Sequence, residues 1–379
     1  MIKHIDYHPS LSQKKGLFFL FISLILLPFN SSVSQNSDEF LLQFVPTEPF
    51  KVETGLMYKL FPTGKIEELP FKFPKVHYGG WGSGVTSNPT PSRSNRYIGF
   101  LKDFNIWLLE LTNNETTQAT TIGRSSDDKY WGIVVSMSGW SFENEKLLYS
   151  VLPESGHEGE GPPLITRKVK SGWYIYDPVS KKSSFIDIPG DVLSWLPNNQ
   201  ILVKTPPSSQ ENESMGRQIQ KFDIESTKLT PLLPMKGDFE FNDISKDGKW
   251  VLITSLDWDK YTTSLLKINI DNREVVSILK DIEWASIQFA HMSPQGGTVS
   301  CVTIEKSTET RPVTHGDITT WLNVEVYTLV VNGKEIYTSD QFFGSHKWID
   351  EKSIALFNRD AVVIIESDSG KELGRRVLN

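Results

Sequence analysis

The stretch Ile244-Ser245-Lys246-Asp247-Gly248-Lys249-Trp250-Val251-Leu252-Ile253 decides the fold, because related phrases return along the chain at a nearly constant spacing. The clear phrases read apolar residue, serine, turn residues, apolar run, whereas the copies at Trp195 and Trp348 lack the serine. Asp247-Gly248 supplies the positive φ angles of a tight hairpin turn, so a phrase marks the end of one strand and the start of the next. Clear relatives start at Trp140 and Met292, and weaker copies start at Pro91, Trp195 and Trp348.

The spacing of the phrases predicts a β-propeller. The second positions of the copies are Ser92, Ser141, Leu196, Ser245, Ser293 and Ile349, which gives steps of 49, 55, 49, 48 and 56 residues. Periods of about 40 to 50 residues are typical of propeller blades, whereas a β-sandwich has no reason to repeat one phrase in step. We therefore expect an all-β propeller of four-stranded antiparallel blades. Six blades are visible, and a hairpin at 56–69 either closes the ring or starts a seventh.

Two phrases resemble a known class of repeat. Ser245-Lys246-Asp247-Gly248-Lys249 and the segment from Tyr97 to Leu111 are similar to the repeats of TolB-like, WD40-like propellers and of the propeller that precedes the catalytic domain in the prolyl oligopeptidase family. The resemblance covers about residues 85–379. It implies a propeller architecture and leaves the function open, because this repeat serves many unrelated proteins.

The N-terminus has the pattern of a signal peptide. Lys14-Lys15 precedes an apolar run from Gly16 to Phe29, and small polar residues follow it. This pattern predicts cleavage before Gln35, with an uncleaved anchor as the alternative. The expected organisation is a signal peptide at 1–34, an N-terminal extension with a closing hairpin at 35–84, and the propeller at 85–379. The mature protein is expected to be secreted or periplasmic.

Composition narrows the class of partner. The formal net charge is −7 and basic clusters are missing from the sequence, so nucleic acid is not an expected partner. Cys301 is the only cysteine, which excludes an intramolecular disulfide. We expect a monomer without an integral membrane domain after signal cleavage, and without a cofactor.

The sequence favours a binding protein over an enzyme. It contains no Gly-Xaa-Ser-Xaa-Gly motif, and its histidines do not have the spacing of a zinc motif. One alternative stays open. His291 and His346 lie just before the recurring apolar position of consecutive units, and Asp243 has the same place one unit earlier. If these three converge on a metal at the channel mouth, they predict a metal-dependent enzyme that cleaves glycans.

Loop length indicates where a partner binds. The loops that join second to third strands, and those that join blades, are long and lie on one face, which is where binding usually resides on a rigid frame. The expected protein- or peptide-binding residues are mostly acidic or aromatic: Glu154, His157, Glu158, Glu160, Trp131, Trp258, Arg311 and His315. A basic partner in the cell envelope or outside the cell is favoured. Trp140, Trp195 and Trp348 occupy repeating positions and are expected to pack between blades.

Overall fold

A computed structural model describes residues 40–46, 54–74, 77–78, 85–86, 88–102, 105–122, 133–153, 170–205, 218–232, 238–283, 287–315, 318–340, 343–358 and 360–378. Their strands form seven antiparallel sheets of three or four strands and one separate two-stranded hairpin, and each sheet is made of strands that follow one another in the chain. The seven larger sheets are the blades of a propeller, and first strands contact each other between blades 3 and 4, 5 and 6, and 6 and 7. None of the described residues forms a helix long and apolar enough to cross a membrane.

The strand bounds follow the chain from blade 1 to blade 7. Blade 1 has β1 (Leu41–Pro46), β2 (Thr54–Leu60) and β3 (Ile66–Pro74), and a small separate hairpin has β4 (His77–Tyr78) and β5 (Val85–Thr86). Blade 2 has β6 (Thr90–Pro91), β7 (Tyr97–Lys102), β8 (Asn105–Glu110) and β9 (Glu115–Gln118). Blade 3 has β10 (Ile133–Trp140), β11 (Leu147–Pro153), β12 (Gly172–Asp177) and β13 (Lys182–Ile186). Blade 4 has β14 (Asp191–Leu196), β15 (Gln200–Thr205), β16 (Gln218–Asp223) and β17 (Leu229–Pro231).

The last three blades have longer strands. Blade 5 has β18 (Asp238–Ile244), β19 (Trp250–Asp257), β20 (Thr262–Asn269) and β21 (Val275–Glu283). Blade 6 has β22 (Ile287–Met292), β23 (Val299–His315), β24 (Ile318–Val331) and β25 (Lys334–Ser339). Blade 7 has β26 (Phe343–Trp348), β27 (Ser353–Asn358), β28 (Ala361–Glu366) and β29 (Glu372–Val377).

The ring has seven blades, so the favoured count of six is wrong and the alternative, in which the hairpin at 56–69 starts a seventh blade, is confirmed. The missed blade is blade 1, which contains the hairpin at 56–69 and the additional strand β1. It carries no copy of the repeated phrase, which is why the period does not reveal it. The turn between β2 and β3 lies beside Ser353 and Gly374 of blade 7, so its strands run like the second to fourth strands of the other blades.

Blade 1 closes the ring by side-chain packing on both of its faces. Leu41 and Val45 of β1 are buried against the core of blade 7, whereas Leu42 and Phe44 are buried against that of blade 2. Successive side chains of a β-strand point to opposite faces, so this division of the residues shows that both faces of β1 are covered. Among the described residues, no sheet combines strands from both ends of the chain.

The recurring serine closes the turn between the first and second strands of a blade. In blades 2, 3, 5 and 6, a buried serine hydroxyl accepts the backbone N–H of the residue five positions on. The pairs are Ser92 with Tyr97 (3.1 Å), Ser141 with Lys146 (2.9 Å), Ser245 with Trp250 (2.9 Å) and Ser293 with Thr298 (3.1 Å). Blades 4 and 7 lack the serine because their turns are one residue shorter, with Leu196 paired to Gln200 and Ile349 bonded to Ser353.

Contacts run from blade to blade around the face that carries these turns, which we call the tight-turn face. They include Ser92 Oγ to Glu145 Oε1 (3.1 Å), Asn198 N–H to Glu143 Oε1 (2.9 Å), Lys246 N–H to Pro294 O (2.9 Å), Gln295 N–H to Glu351 Oε1 (2.6 Å), Ser353 Oγ to Pro62 O (3.4 Å) and Asn95 Nδ2 to Phe40 O (3.4 Å). Blades 4 and 5 meet through Pro197, whose ring atoms lie 2.3 Å from where a Cβ of Gly248 would stand. On this face, contacts between the turns therefore hold neighbouring blades together.

The tryptophans at the repeating position pack between blades, as predicted. Trp140, Trp195 and Trp348 are 5%, 3% and 6% exposed. Each indole N–H donates to the preceding blade, to Thr90 O (3.0 Å), Gly139 O (3.2 Å) and Ser300 Oγ (2.7 Å) respectively. Buried tryptophan normally finds such a partner, so these residues supply both packing and registration between neighbouring blades.

Gly374→Ala tests the junction of the first and last blades. A Cβ on Gly374 would lie 2.0 Å from Gly64 O and 2.7 Å from Gly64 C, both backbone atoms of blade 1. We expect a loss of about 1–3 kcal/mol in the free energy of unfolding, because blades 1 and 7 must separate to admit the methyl group. Urea denaturation measures the loss. Gly297→Ala is the control, since no atom lies within 4 Å of its Cβ position. Equal stability of the two variants would contradict the closure.

Candidate functional site

The second strand of each complete blade ends, and the third begins, on the face opposite the tight turns. We call it the long-loop face. The connections between blades start and end there as well. The predicted binding residues Glu154, His157, Glu158, Glu160 and Trp131 lie outside the described residues. Of the others, Trp258 and Arg311 have described side chains, whereas His315 lies in β23 with a side chain that is not described.

Trp258 is held in place on the long-loop face of blade 5. It stands in the turn between β19 and β20, and its side chain is 38% exposed. Its indole N–H donates to Asp238 Oδ2 at 2.6 Å, which ties the turn to the start of β18. The turn itself is fixed by Asp257 Oδ1, which accepts the N–H groups of Asp259 and Lys260 at 3.2 and 3.1 Å. The tryptophan therefore offers part of its ring to solvent from a defined position.

Tyr261 adds a second exposed aromatic side chain to the same turn. It is 58% exposed, and its φ of 54° places it in the left-handed region, which is uncommon for a bulky residue. Sequence reasoning missed Tyr261, although it lies only three residues after the predicted Trp258. An aromatic residue held exposed in an uncommon backbone conformation has no evident role in the core.

Carboxylates surround these aromatic residues. Asp238 and Glu240 lie two apart at the start of β18, so their side chains leave the strand on the same side. Neighbouring atoms crowd Glu240 even though much of its surface reaches solvent. Burial raises the pKa of Glu240, Lys204 opposes the rise and Asp238 adds to it. Lys204 Nζ donates to the Phe239 carbonyl at 2.8 Å.

The connection between the second and third strands of blade 6, which the sequence predicted to be one of the long loops, is instead a long hairpin that extends from the blade. β23 and β24 stay paired as far as His315 and Ile318, with a bulge between Lys306 and Thr310. Arg311 is exposed on this hairpin, and its Nη2 contacts Asp340 Oδ2 at 2.6 Å. Since this exposed pair anchors the hairpin to the connection that leads to blade 7, Arg311 has a bracing role as well as an exposed surface.

Asp243, His291 and His346 come together, but inside the ring and not at a channel mouth. They are 5%, 7% and 0% exposed, because the tight turns fold over the end of the axis. Asp243 Oδ1 and Oδ2 accept the backbone N–H groups of Ile244 and Met292, both at 2.9 Å. His291 Nδ1 lies 3.4 Å from Asp243 Oδ2, and the two imidazoles meet edge to face with centroids 5.0 Å apart.

These residues form no metal centre in the part of the chain that the structure describes, where no three His, Cys, Asp or Glu side chains are placed to hold one ion. Each candidate ligand has other contacts. His346 Nε2 lies 2.6 Å from Ser300 Oγ, and His291 faces Asp243. Lys347, which is 5% exposed, adds an ammonium group that acts electrostatically on all three residues, and a cation disfavours a metal ion nearby.

The pair of Ser300 and His346 has the short contact of a nucleophile and its base, but its surroundings do not suit catalysis. Both residues are 0% exposed, so a substrate has no access to the hydroxyl. The Trp348 indole also donates to Ser300 Oγ, which occupies a lone pair that a nucleophile needs. Cys301 is equally sheltered, and burial raises the pKa of its thiol to about 12. An inert thiol is the consequence.

No protein-family model matches the sequence, and no curated protein is significantly similar to it. Solved structures share its fold. The β-propeller domain of the trilobed protease from Pyrococcus furiosus, described as having an open velcro topology, matches with a TM-score of 0.52 and 14% identity over 91% of this chain and 97% of that domain. Atg21, solved in complex with the coiled coil of Atg16, matches with a TM-score of 0.51 and 11% identity over 93% and 100% of the two chains.

The propeller repeat is confirmed at the level of the fold. TolB from Agrobacterium tumefaciens is also among the similar structures, with a TM-score of 0.40 and 13% identity over 84% of this chain and 95% of that one. Prolyl endopeptidase, dipeptidyl peptidase 4 and acylaminoacyl peptidase match too, and this chain spans about half of their length. At identities this low, the similarity shows the fold alone.

The buried histidines predict that stability falls in mild acid. Burial, His291 and Lys347 together hold the pKa of His346 well below its ordinary value, and burial lowers that of His291. The unfolded chain binds protons at a pKa of about 6.5, whereas the folded chain resists them. The free energy of unfolding should therefore be constant above pH 7 and decrease as pH falls below about 6.5.

Urea denaturation between pH 8 and pH 5 measures this effect. His346→Asn should flatten the pH dependence in that window, whatever the variant does to stability at pH 8. Asp243 does not account for the same window, because its pKa is lowered from that of an ordinary carboxyl and its contribution is lost only at lower pH. A wild-type curve that stays level down to pH 5 would show that the histidines are not buried as neutral groups.

Proposed function

We propose that this protein is a non-catalytic scaffold, secreted or periplasmic, that binds a protein or peptide through its long-loop face. The observation that carries the proposal is the difference between the two faces. Turns contact one another around the tight-turn face, whereas the long-loop face presents Trp258, Tyr261 and a projecting hairpin. Exposed aromatic side chains on a rigid frame are the usual anchors of protein interfaces.

Charge favours a basic partner. Exposed or half-exposed carboxylates lie around the aromatic residues, among them Asp238, Glu240, Asp257 and Asp259. Lys260 pairs with Asp257 at 2.8 Å, so it offsets only part of this charge. A partner that presents lysine or arginine gains attraction at the rim and contacts between its cations and the aromatic faces. Binding of this kind weakens as the salt concentration rises.

A single propeller domain is a sufficient platform for such a role. The structure of Atg21, which shares the fold over its whole length, was solved with a coiled coil bound. That likeness concerns architecture, and it shows that a domain of this kind can hold a protein segment. For the present chain we propose a monomer that meets its partner in the cell envelope or outside the cell, after removal of residues 1–34.

A glycan-cleaving metalloenzyme is not the function we propose. Asp243, His291 and His346 are buried under the tight turns, on the side of the ring away from the exposed aromatic residues. In the described part of the chain, their neighbourhood offers neither a three-ligand site nor access for a polymer. The buried cluster is better explained as a structural feature of the axis.

The double variant Trp258→Ser, Tyr261→Ser tests the proposal. Envelope extract is passed over immobilised wild type and variant, and the proteins retained by each are compared by quantitative mass spectrometry. We expect at least one protein to be retained by the wild type and depleted about tenfold or more by the variant, because interface anchors contribute most of the binding energy. Raising the salt concentration should release the same protein.

Val179→Ser is the matched control. Val179 is 80% exposed in the turn between β12 and β13, on the tight-turn face, so the control removes an exposed apolar side chain from the opposite side of the ring. It should retain every partner of the wild type. A third variant with Glu154, Glu158 and Glu160 changed to Ser tests the charge. Identical protein profiles for the wild type and all three variants would remove the long-loop face from consideration.

A further inference from the structure

The hairpin of blade 6 extends beyond the rest of its sheet and has two outer edges. β22 pairs with β23 only as far as Thr303, and β25 pairs with β24 only from Tyr327 onwards. β23 and β24 continue together to His315 and Ile318. In the part of the chain that the structure describes, no further strand pairs with either outer edge of this extension. A strand edge without a neighbour presents backbone N–H and C=O groups that can pair with another chain.

The register shows which residues of β24 direct their backbone groups to its outer edge. Antiparallel strands alternate between residue pairs that exchange hydrogen bonds and pairs that do not. Pro312 has no N–H, so its pair with Trp321 belongs to the second kind. Just beyond the other end of β24, the N–H of Asn332 donates to Val299 O at 2.8 Å, so the even-numbered residues bond β23 there as well. The odd-numbered residues of the extension therefore direct N–H and C=O away from β23, namely Thr319, Trp321 and Asn323.

The two edges of the hairpin differ in how they are protected. On β23, Pro312 removes a donor from the outer edge, and a bulge between Lys306 and Thr310 interrupts the edge nearer the blade. Proline, charge and bulges are the devices by which proteins block the edges of sheets. β24 reads Ile-Thr-Thr-Trp-Leu-Asn-Val from Ile318 to Val324, a run without proline or charge and rich in residues that favour strands. The edge of β24 is therefore the one suited to pair with a further strand.

Side-chain contacts brace the hairpin where it leaves the blade. Arg311 Nη2 contacts Asp340 Oδ2 at 2.6 Å, which links β23 to the end of blade 6. Asn323 Nδ2 donates to Ser307 O at 3.1 Å, and this bond joins the two strands at the bulge. An edge that is already extended and braced loses less conformational entropy on binding than a free segment does. The outer edge of β24 is thus preorganised for pairing.

The extent and the charge of this edge indicate its ligand. An interface between two folded proteins involves about 20–30 residues a side, whereas the open edge runs only from Ile318 to Glu325. A second copy of the chain that met this edge with its own hairpin would therefore form too small a contact for a stable dimer. An extended peptide fits the edge, because main-chain hydrogen bonds along a strand supply its affinity. Glu325 is exposed near the base of the edge and favours a lysine or arginine opposite it.

We propose that the outer edge of β24 binds an extended peptide segment of the partner as an additional strand of blade 6, with a basic residue of the segment opposite Glu325. The backbone groups of Thr319, Trp321 and Asn323 form the hydrogen bonds. This inference rests on the proposed function, because the hairpin projects from the long-loop face. It specifies the class of ligand, an extended basic peptide, and the mode of binding, which is backbone pairing in addition to contacts with the exposed aromatic side chains.

A selected peptide and two proline variants test the edge. A phage-displayed library of random dodecapeptides is selected on immobilised wild type, and the Kd of the strongest peptide is measured by fluorescence anisotropy. Thr319→Pro removes an outward N–H of β24 without breaking a bond to β23, and it should weaken binding about tenfold or more. Thr314→Pro is the matched control, because Thr314 pairs with Thr319 and directs its own N–H to the edge of β23. Its Kd should stay within about twofold of the wild-type value.

Methylation of single backbone nitrogens in the selected peptide tests strand pairing on the wild-type protein, without any variant. Antiparallel and parallel ladders use the N–H groups of alternate residues on the paired side of a strand. Methylation should therefore abolish binding at every second position of the peptide and have little effect at the positions between them.

The proposal would be overturned by a library that yields no peptide, by equal affinity of Thr319→Pro and Thr314→Pro, or by methylation effects that do not alternate. A wild-type dimer in sedimentation velocity that Thr319→Pro dissociates would also overturn it, because the edge would then belong to a second copy of the chain. The double variant Trp258→Ser, Tyr261→Ser separates this inference from the proposed function. If that variant loses its partner from the extract while Thr319→Pro retains both partner and peptide, the proposed function stands and pairing at β24 is wrong.

Discussion

The turn between the first and second strands of a blade is the interaction on which the rest of the structure depends. A buried serine hydroxyl accepts the N–H five residues on, as Ser245 does from Trp250 at 2.9 Å. Such a bond contributes only about 1 kcal/mol, but its geometry repeats from blade to blade. In blades 2, 3, 5 and 6 it closes the turn on the tight-turn face, where neighbouring turns contact each other. The period in the sequence, the tied tight-turn face and the buried axis all follow from this element.

The sequence predicted the features that depend on the repeated serine phrase. It did not predict the features of blades that lack the phrase. The spacing of the serine phrase predicted the propeller and the packing of Trp140, Trp195 and Trp348 between blades. Blade 1 escaped the count because its strands carry no phrase and are recognised only by burial against both neighbours. The bulges that end the first strands, such as the one between Phe241 and Asp243, have no signature in the sequence either. Such irregularities re-aim side chains, and here they precede the axial residues.

The candidate site residues also include some features that the sequence predicted and others that only the structure reveals. Trp258 was predicted from its position in a connection between strands, and the structure adds its hydrogen bond to Asp238 and the neighbouring Tyr261. Asp243, His291 and His346, which the sequence offered as an alternative metal site on the condition that they converge, occupy similar places in their blades and contact one another in the structure. Their burial was not foreseen, because it depends on how turns of non-adjacent blades meet over the axis. Phe142 of blade 3 approaches Gly248 of blade 5 there, a contact that no local pattern encodes.

The account assigns different roles to the two faces: the tight-turn face holds the ring together, and the long-loop face binds a partner. Photo-crosslinking in intact cells tests this division most directly. A photoreactive phenylalanine analogue is placed at Tyr261 in one variant and at Val179 in another, both exposed but on opposite faces. The account predicts a discrete crosslinked adduct from position 261 and none from position 179. Adducts from position 179 alone would contradict it.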